Sequence, residues 1–367
     1  MYRKKALIIY FFSLLLFQQG CKPSIPTVPT VHPKSLSPNQ ITTLKTFKKV
    51  ADFPLPLYVM TYSGGYDPVL RDNIYHALKL QKTVRGCSVF TATNQLNEPV
   101  LARNHDYFYS PALVLFTKPP GGYASVSLVD LSFLGFDNPK KATSISDGDR
   151  TKLLYAPYLP CDGMNEYGLA IGMTYVPEAE FANKPGQETI FSLEAVRLLL
   201  DHAKNINEAI ELLSKYNITF PVLPSHFLIA DSSGETVVVE FIKGKIEVIR
   251  SQEPWMVATN FLIQGNADSI KKYTIQVQTK GDTSWDINGK SYFRFITANE
   301  ALRKSNGRFT TDEVMDLLKK ISLAKLSRDI WMTTQWSVVY GLSSGKVQVV
   351  MNRNYHDPKE FFLDINQ

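Results

Sequence analysis

The apolar positions follow two rhythms. Short runs at residues 88–93, 99–104, 112–117, 123–130 and 168–175 are rich in Val, Leu, Phe, Tyr and Thr and are bounded by Gly, Pro, Asn or Asp. They read as strands joined by turns. A plain hairpin follows over Phe227–Ala230 and Thr236–Ile242, turned by Asp231-Ser-Ser-Gly234, and Ile246–Arg250 extends it. Trp255–Thr259 reads as a further strand, and a last hairpin pairs Trp336–Tyr340 with Val347–Met351. Helical spacing appears at 68–81, where Leu70, Ile74, Ala77, Leu78 and Leu80 lie mostly on one face. It returns at 188–203, 206–216, 292–303 and 311–323. No internal repeat is visible. Strand clusters alternating with helix pairs predict an α+β fold of two antiparallel sheets with helices outside.

The first residues follow neither rhythm. Arg3, Lys4 and Lys5 precede an apolar run from Ala6 to Phe17, then Gln18-Gln19-Gly20-Cys21. A basic start and a short apolar stretch match a secretory signal, and the run is too short for a comfortable transmembrane helix. Cys21, directly after a small residue, resembles a bacterial lipobox cysteine. Two glutamines stand where that motif normally has small or aliphatic residues. Residues 22–40 carry Pro23, Pro26, Pro29, Pro33 and Pro38 and read as an extended tether. Residues 41–86 then look ordered and form a leader ahead of the main domain, 87–367. The expected location is outside the cytoplasm, periplasmic or at the cell surface, held to a membrane through lipid on Cys21.

Composition changes this picture little. At 367 residues the chain can bury a sizeable core. Of the net charge of +6, residues 1–21 carry +3 and residues 22–86 a further +6, which leaves −3 on residues 87–367. A basic leader therefore precedes a mildly acidic body, which suggests complementarity between the two. No dense basic stripe with interleaved aromatics occurs, so nucleic acid is not an expected partner. The three cysteines, Cys21, Cys87 and Cys161, show no zinc spacing. No metal or cofactor is expected. A Cys87–Cys161 disulfide is chemically open to an exported protein, but the surroundings of Cys87 favour a reactive thiol, with Cys161 a small buried residue.

Those surroundings carry the chemistry. Gly86-Cys87-Ser88-Val89-Phe90 starts a strand, and the chain returns as Pro99-Val-Leu-Ala-Arg-Asn-His-Asp106. A turn centred near Leu96 sets Cys87 opposite the stretch around His105. A thiol, the Arg103 guanidinium and the Asp106 carboxylate then share one strand end. A neighbouring cation favours thiolate, the reactive form. A papain-like reading would pair Cys87 with His105, His202 or His226, but no Cys-Trp or Gln-Cys signature surrounds Cys87. A ligand-binding lipoprotein without catalysis is the reading from another class.

Five motifs in order give the chain a resemblance: Gly86 through Phe90 with Ala102-Arg-Asn-His-Asp-Tyr107, Asp162-Gly-Met-Asn-Glu-Tyr-Gly-Leu-Ala170, Val257-Ala-Thr-Asn260, Tyr292-Phe-Arg-Phe295, and Gln335-Trp-Ser-Val-Val-Tyr340. Over about 87–350 the chain resembles the choloylglycine hydrolase, penicillin acyltransferase and N-acylethanolamine amidase group of N-terminal nucleophile hydrolases. The resemblance implies a four-layer αββα fold and cleavage of Gly86–Cys87. It also implies hydrolysis of a linear amide in a small N-acyl compound through a thioester on Cys87. An α-amine has a reference pKa of about 7.7–8.0 and can serve as base near neutrality, so no histidine is needed. Gly86 suits a strained junction. Arg103 would sit beside the thiol, Asp106 would orient the freed amine, Asn260 would donate to the oxyanion, and Arg294 would complete the polar network. Thr174 stands where bile salt hydrolases often have Asn, so it is the candidate second oxyanion or substrate contact. Acyl transfer to an amine, as in the acyltransferase branch, remains the alternative outcome. The long leader resembles branches in which it persists as a small subunit. Asp162, Asn165 and Glu166 read as turn formers.

Overall fold

The computed structural model describes residues 28–32, 35–52, 55–78, 86–181, 183–220, 224–280, 287–324 and 332–365. The signal, Cys21 and residues 22–27, 33 and 34 of the tether lie outside them. The leader folds as α1 (Pro38–Thr46), β1 (Lys48–Ala51), β2 (Leu57–Tyr62) and α2 (Pro68–Leu78). Strands β3 (Gly86–Asn94), β4 (Pro99–Tyr107), β5 (Ala112–Thr117), β6 (Ser125–Asp130), β7 (Pro160–Asn165) and β8 (Ala170–Tyr175) follow. A short parallel pair, β9 (Thr189–Phe191) and β10 (Asn217–Thr219), flanks α3 (Ser192–His202) and α4 (Ile206–Ser214). The chain continues through β11 (Ser225–Ala230), β12 (Thr236–Ile242), β13 (Lys245–Arg250), β14 (Val257–Ala258), α5 (Ala267–Lys280), α6 (Ile287–Lys304), β15 (Arg308–Phe309) and α7 (Thr311–Lys320). It closes with β16 (Thr333–Gly341), β17 (Lys346–Met351) and β18 (Lys359–Phe362).

Two sheets face one another. The first runs β1-β2-β5-β6-β7-β8-β11-β12-β13, and the second β14-β3-β4-β16-β17-β18 with β15 beside β3. Pairing within them is antiparallel except for β2 with β5 and β15 with β3. Helix α3 covers the outer face of the first sheet at β7, and α6 and α7 cover the second at β3 and β4. This is the predicted four-layer αββα arrangement.

Alternation assigns each strand two faces. Val89 and Leu101 point between the sheets into the larger core, and Phe90, Ala92, Val100 and Ala102 point to the helix layer with Ala298 and Leu302. Gly172 lets β8 approach β3, because a Cβ there would lie 2.7 Å from a methyl of Val89.

Order begins earlier than residue 41. Ser37 caps α1, accepting from the Gln40 N–H, while the Gln40 side chain accepts the Ser37 N–H. Val28, inside the stretch read as tether, is buried in the core. The leader is also part of the first sheet: β2 pairs with β5 over all six of its residues. Asp162, read as a turn former, lies instead in a fully buried strand, while Asn165 at its end and Glu166 do make the turn that follows. Trp255–Thr259 contracts to the two residues of β14, because Thr259 and Asn260 leave the strand for hydrogen bonds to α6. Helix α5, not read from the sequence, sets Ile270, Tyr273 and Val277 against the cluster around Phe261 and Tyr292 and buries no residue fully. Among the described residues no helix is long and apolar enough to cross a membrane.

Candidate active site

The β3–β4 hairpin places the cysteine. Its tight end is Asn94–Glu98, where Asn94 accepts the backbone N–H groups of Leu96 and Glu98 through its side chain and Asn97 takes a positive φ of 59°. The register that follows sets Cys87 opposite His105 and Gly86 opposite Asp106. Cys87, Arg103 and His105 therefore point between the sheets, while Ser88 and Asp106 point to α6. The sequence brings thiol, guanidinium and carboxylate to one strand end, as read, but on two faces of it.

On the inner face, Arg103 Nη2 donates to Cys87 Sγ at 3.2 Å. The guanidinium is about 1% exposed, and each of its other nitrogens also donates. Nη1 donates to Asp162 Oδ2 at 2.6 Å and Nε to the Met173 carbonyl at 3.0 Å. Tyr340 Oη donates to the other Asp162 oxygen at 2.5 Å. Burial works against the charged guanidinium, yet Cys87 and Asp162 more than offset it and raise its pKa. Burial also pushes the Asp162 carboxyl up, opposed chiefly by Arg103. Asp162 is the main residue that sequence reasoning missed as part of the site. The signal was a lone carboxylate in the apolar run Leu159-Pro-Cys-Asp-Gly-Met164, a place that demands a buried cation. Asn165 and Glu166 do serve structure, binding the carbonyls of Leu200 and Ala203 and the Ala124 N–H respectively.

His105 backs the guanidinium. Arg103 Nη2 lies 3.2 Å from His105 Nδ1, and a guanidinium only donates. Nδ1 is therefore an acceptor, and the ring hydrogen sits on Nε2, 3.3 Å from Asp130 Oδ2. The ring stacks on Trp336 at 3.8 Å. With both nitrogens engaged this way, His105 offers the thiol no lone pair, which removes the basis of the papain-like reading. His226 is bound elsewhere, to Glu240 and the Thr259 carbonyl. Cys87 and Cys161 are both buried and are not bridged by a disulfide.

On the outer face, α6 delivers Arg294. Its Nη1 donates to the Cys87 carbonyl, to Ser88 Oγ at 2.6 Å and to Asp106 Oδ2 at 3.2 Å. Its Nη2 donates to Asn260 Oδ1 at 2.7 Å. Thr334 Oγ1 donates to Asp106 Oδ1 at 2.6 Å. Burial raises the Asp106 carboxyl above its usual range, with Arg294 and Thr334 pulling the other way. Burial lowers the Arg294 pKa, opposed by Asp106 and Cys87.

Asn260 joins the two faces. Its Oδ1 accepts the Cys87 N–H at 3.0 Å as well as Arg294, and its Nδ2 donates to the Tyr175 carbonyl at 2.7 Å. Two donors on one oxygen fix which way the amide points. In the uncut chain the Cys87 nitrogen is held by Asn260, and Asp106 reaches the junction through Arg294, because the register turns the Asp106 side chain to the helix layer. One expectation needs correction, the strain read at Gly86. Gly86 has ordinary strand geometry with no positive φ. Its smallness is needed for space instead: a Cβ would come within 3.1 Å of Asp106 Cβ and Met332 Cε. Thr174 lies close by, but its hydroxyl donates to the Thr259 carbonyl at 2.9 Å. Among the described residues no group of three or more His, Cys, Asp or Glu could hold a metal ion.

The structure thus gathers Gly86, Cys87, Arg103, Asp106, Asn260 and Arg294 into one connected network. Comparison with known proteins gives it context. Residues 87–261 match the family described as linear amide C-N hydrolases, choloylglycine hydrolase family. A penicillin V acylase of Pectobacterium atrosepticum is 30% identical over 161 residues, which is 40% of this chain and 41% of that protein. The chain thus spans less than half the length of that relative. Two variant structures of a conjugated bile acid hydrolase from Clostridium perfringens superpose with a TM-score of 0.57 at 17% identity, covering 77% of this chain and 95% of theirs. A penicillin V acylase from Agrobacterium tumefaciens gives 0.51 at 17% identity, covering 76% and 86%. These superpositions establish the N-terminal nucleophile hydrolase fold.

Proposed function

With residues 87–261 matching the choloylglycine hydrolase family of linear amide C-N hydrolases, we propose that this chain is a self-processing cysteine amidohydrolase acting on small N-acyl compounds. One observation carries the reading. The thiol that receives a hydrogen bond from a buried guanidinium belongs to the residue whose own N–H is held by Asn260, directly after Gly86. Hydrolysis of the Gly86–Cys87 bond, with water giving its hydroxyl to the Gly86 carbonyl carbon and its hydrogen to the Cys87 nitrogen, turns that N–H into an α-amine beside Asn260.

The chemistry then balances as follows. The α-amine takes the Cys87 proton, and the thiolate, stabilised by Arg103, attacks the substrate carbonyl. The ammonium returns the proton to the departing nitrogen as the amide C–N bond breaks. Water attacks the thioester, giving its proton to the amine, and the acid leaves with the thiol restored. The Asn260 amide has a second Nδ2 hydrogen beyond the one on Tyr175, and we assign that hydrogen to the oxyanion. Such a donor is typically worth about 2.7–4 kcal/mol of barrier.

The leader has the bonds of a retained subunit. Leu57, Met60, Ile74 and Leu78 are wholly buried, Arg71 pairs with Glu194 and Glu188, and Tyr158 Oη donates to the Asp67 carbonyl at 2.7 Å. Burying each such apolar side chain stabilises by about 1.5–3 kcal/mol, so the leader should stay attached after cleavage. Export and a lipid anchor on Cys21 complete the proposal and rest on the sequence alone.

Intact-mass measurement of purified wild type and Cys87→Ala tests the scheme. The expected wild-type product is a fragment beginning at Cys87 that copurifies with its leader and hydrolyses N-acyl amides such as penicillin V or a conjugated bile acid. Cys87→Ala should stay whole and inactive. An unbroken wild-type chain that still hydrolyses amides would refute self-processing.

A further inference from the structure

A second buried histidine lies beyond the network described above. His226 and Glu240 are fully buried on neighbouring strands, β11 and β12. His226 Nδ1 lies 3.2 Å from Glu240 Oε1, and Nε2 lies 2.9 Å from the Thr259 carbonyl. A carbonyl only accepts, so Nε2 carries a hydrogen. The ring thus spends its Nε2 donor on one backbone carbonyl, with Glu240 against its other nitrogen.

That carbonyl belongs to the residue before Asn260. It receives a second hydrogen bond from Thr174 Oγ1, which β8 holds opposite His226. Glu240 also accepts the N–H groups of Ile263 at 2.6 Å and Gln264 at 3.1 Å, just after Asn260. On its other side, Asn260 N–H donates to Ser291 Oγ at 2.7 Å. Both flanks of Asn260 are therefore clamped, and β14 ends two residues before it. Without the clamp, nothing in the strand ladder would fix the Thr259–Asn260 peptide.

We infer that His226 and Glu240 are positioning residues for Asn260, setting through the Thr259 carbonyl and the 263–264 amides where the Asn260 side chain meets the Cys87 nitrogen. The inference deepens the proposed amidohydrolase reading and rests on it. Misplacing a reacting group by about 1 Å can cost 10²-fold in rate, and that sets the expected scale.

The test uses the full-length chain with His226→Phe, which keeps a flat ring and removes both nitrogens, alone and combined with Asn260→Ala. The expected result for His226→Phe is slower conversion of precursor. In the processed enzyme, kcat per titrated Cys87 should fall by about 10²-fold, with KM within about twofold. In the Asn260→Ala background the same change should cost less than about twofold, because the residue it acts through is gone. Equal losses in both backgrounds, or an unchanged kcat, would overturn the inference. Should His226→Phe fail to fold, Glu240→Gln is read against the same criteria. Should wild type neither process nor hydrolyse, the functional reading falls and hydrogen exchange decides the inference alone. Local speeding at Cys87, Ile263 and Gln264 supports it; unchanged exchange at Cys87 overturns it.

Discussion

Replacing Arg103 by Met removes the cation from beside Cys87 and leaves Asp162 buried against neutral groups, the Tyr340 hydroxyl and the Trp336 indole. Both members of the ion pair have side chains at most 1% exposed. Breaking a pair of that kind by removing one member costs about 3–5 kcal/mol, since the remaining charge keeps its desolvation penalty. Asp162→Asn should cost a similar amount from the other side. The double variant, Arg103→Met with Asp162→Asn, buries no charge, so its stability should recover well beyond the sum of the single losses, with a coupling of about 2–3 kcal/mol. Reactivity should not recover. A unit charge at about 4 Å and an effective dielectric of 20 is worth about 4 kcal/mol. Even a third of that, about 1.4 kcal/mol, is tenfold in thiolate population. Denaturant midpoints measure the first quantity, and the iodoacetamide rate at Cys87, followed by peptide mass, measures the second. Additive stability losses would refute the buried-pair reasoning. A Cys87 alkylation rate in Arg103→Met equal to that of wild type would refute the thiolate reasoning.

Three further perturbations probe the junction, the outer face and the leader. Gly86→Ala should destabilise by about 1 kcal/mol, the overpacking loss less the gain from a stiffer unfolded chain. It should also slow self-cleavage, because its Cβ presses on Asp106; cleavage at the wild-type rate would contradict this. Asp106 has a carboxyl raised by burial above its ordinary 3.8. Its protonated form thus favours the fold, a contribution complete below the unfolded value and lost as pH rises through the folded one. Asp106→Asn has no such loss, so its denaturation midpoint should gain on wild type as pH rises above the ordinary carboxylate range; a flat or reversed difference would count against the buried carboxyl. Ile74→Ala opens a gap between α2 and the body worth about 2–5 kcal/mol. After processing, size-exclusion chromatography should find the leader dissociating from this variant and not from wild type.

The β3–β4 hairpin was legible because turn chemistry and alternation are local. The Asn94–Glu98 turn fixes the register, and the register puts Cys87 across from His105. What alternation also implies, that Arg103 and Asp106 three residues apart face opposite ways, changes the roles read for the site. It hands the Cys87 nitrogen to Asn260 and sends Asp106 to Arg294. The Asp162 strand was not legible, since Pro160 and Gly163 are turn residues by local propensity, and only burial between β6 and β8 makes them a strand. The placement of β2 was equally hidden. Its partner β5 lies beyond the Gly86–Cys87 bond and runs parallel, a long-range pairing that no local pattern encodes.

These placements constrain the order of events. In the uncut chain, the Cys87 carbonyl and N–H are bound by Arg294 and Asn260, and the thiol by Arg103. These bonds come from α6, from the loop after β14, and from Arg103 on β4, which Asp162 and Met173 of the first sheet hold in place. The junction is therefore assembled only when both sheets and α6 have packed. The leader supplies two strands of the first sheet, β1 and β2, so it must be in place for that packing to occur. Self-cleavage should then report complete folding: a chain lacking its leader strands has no site to cut with, and one that has cut has already buried the segment it severed.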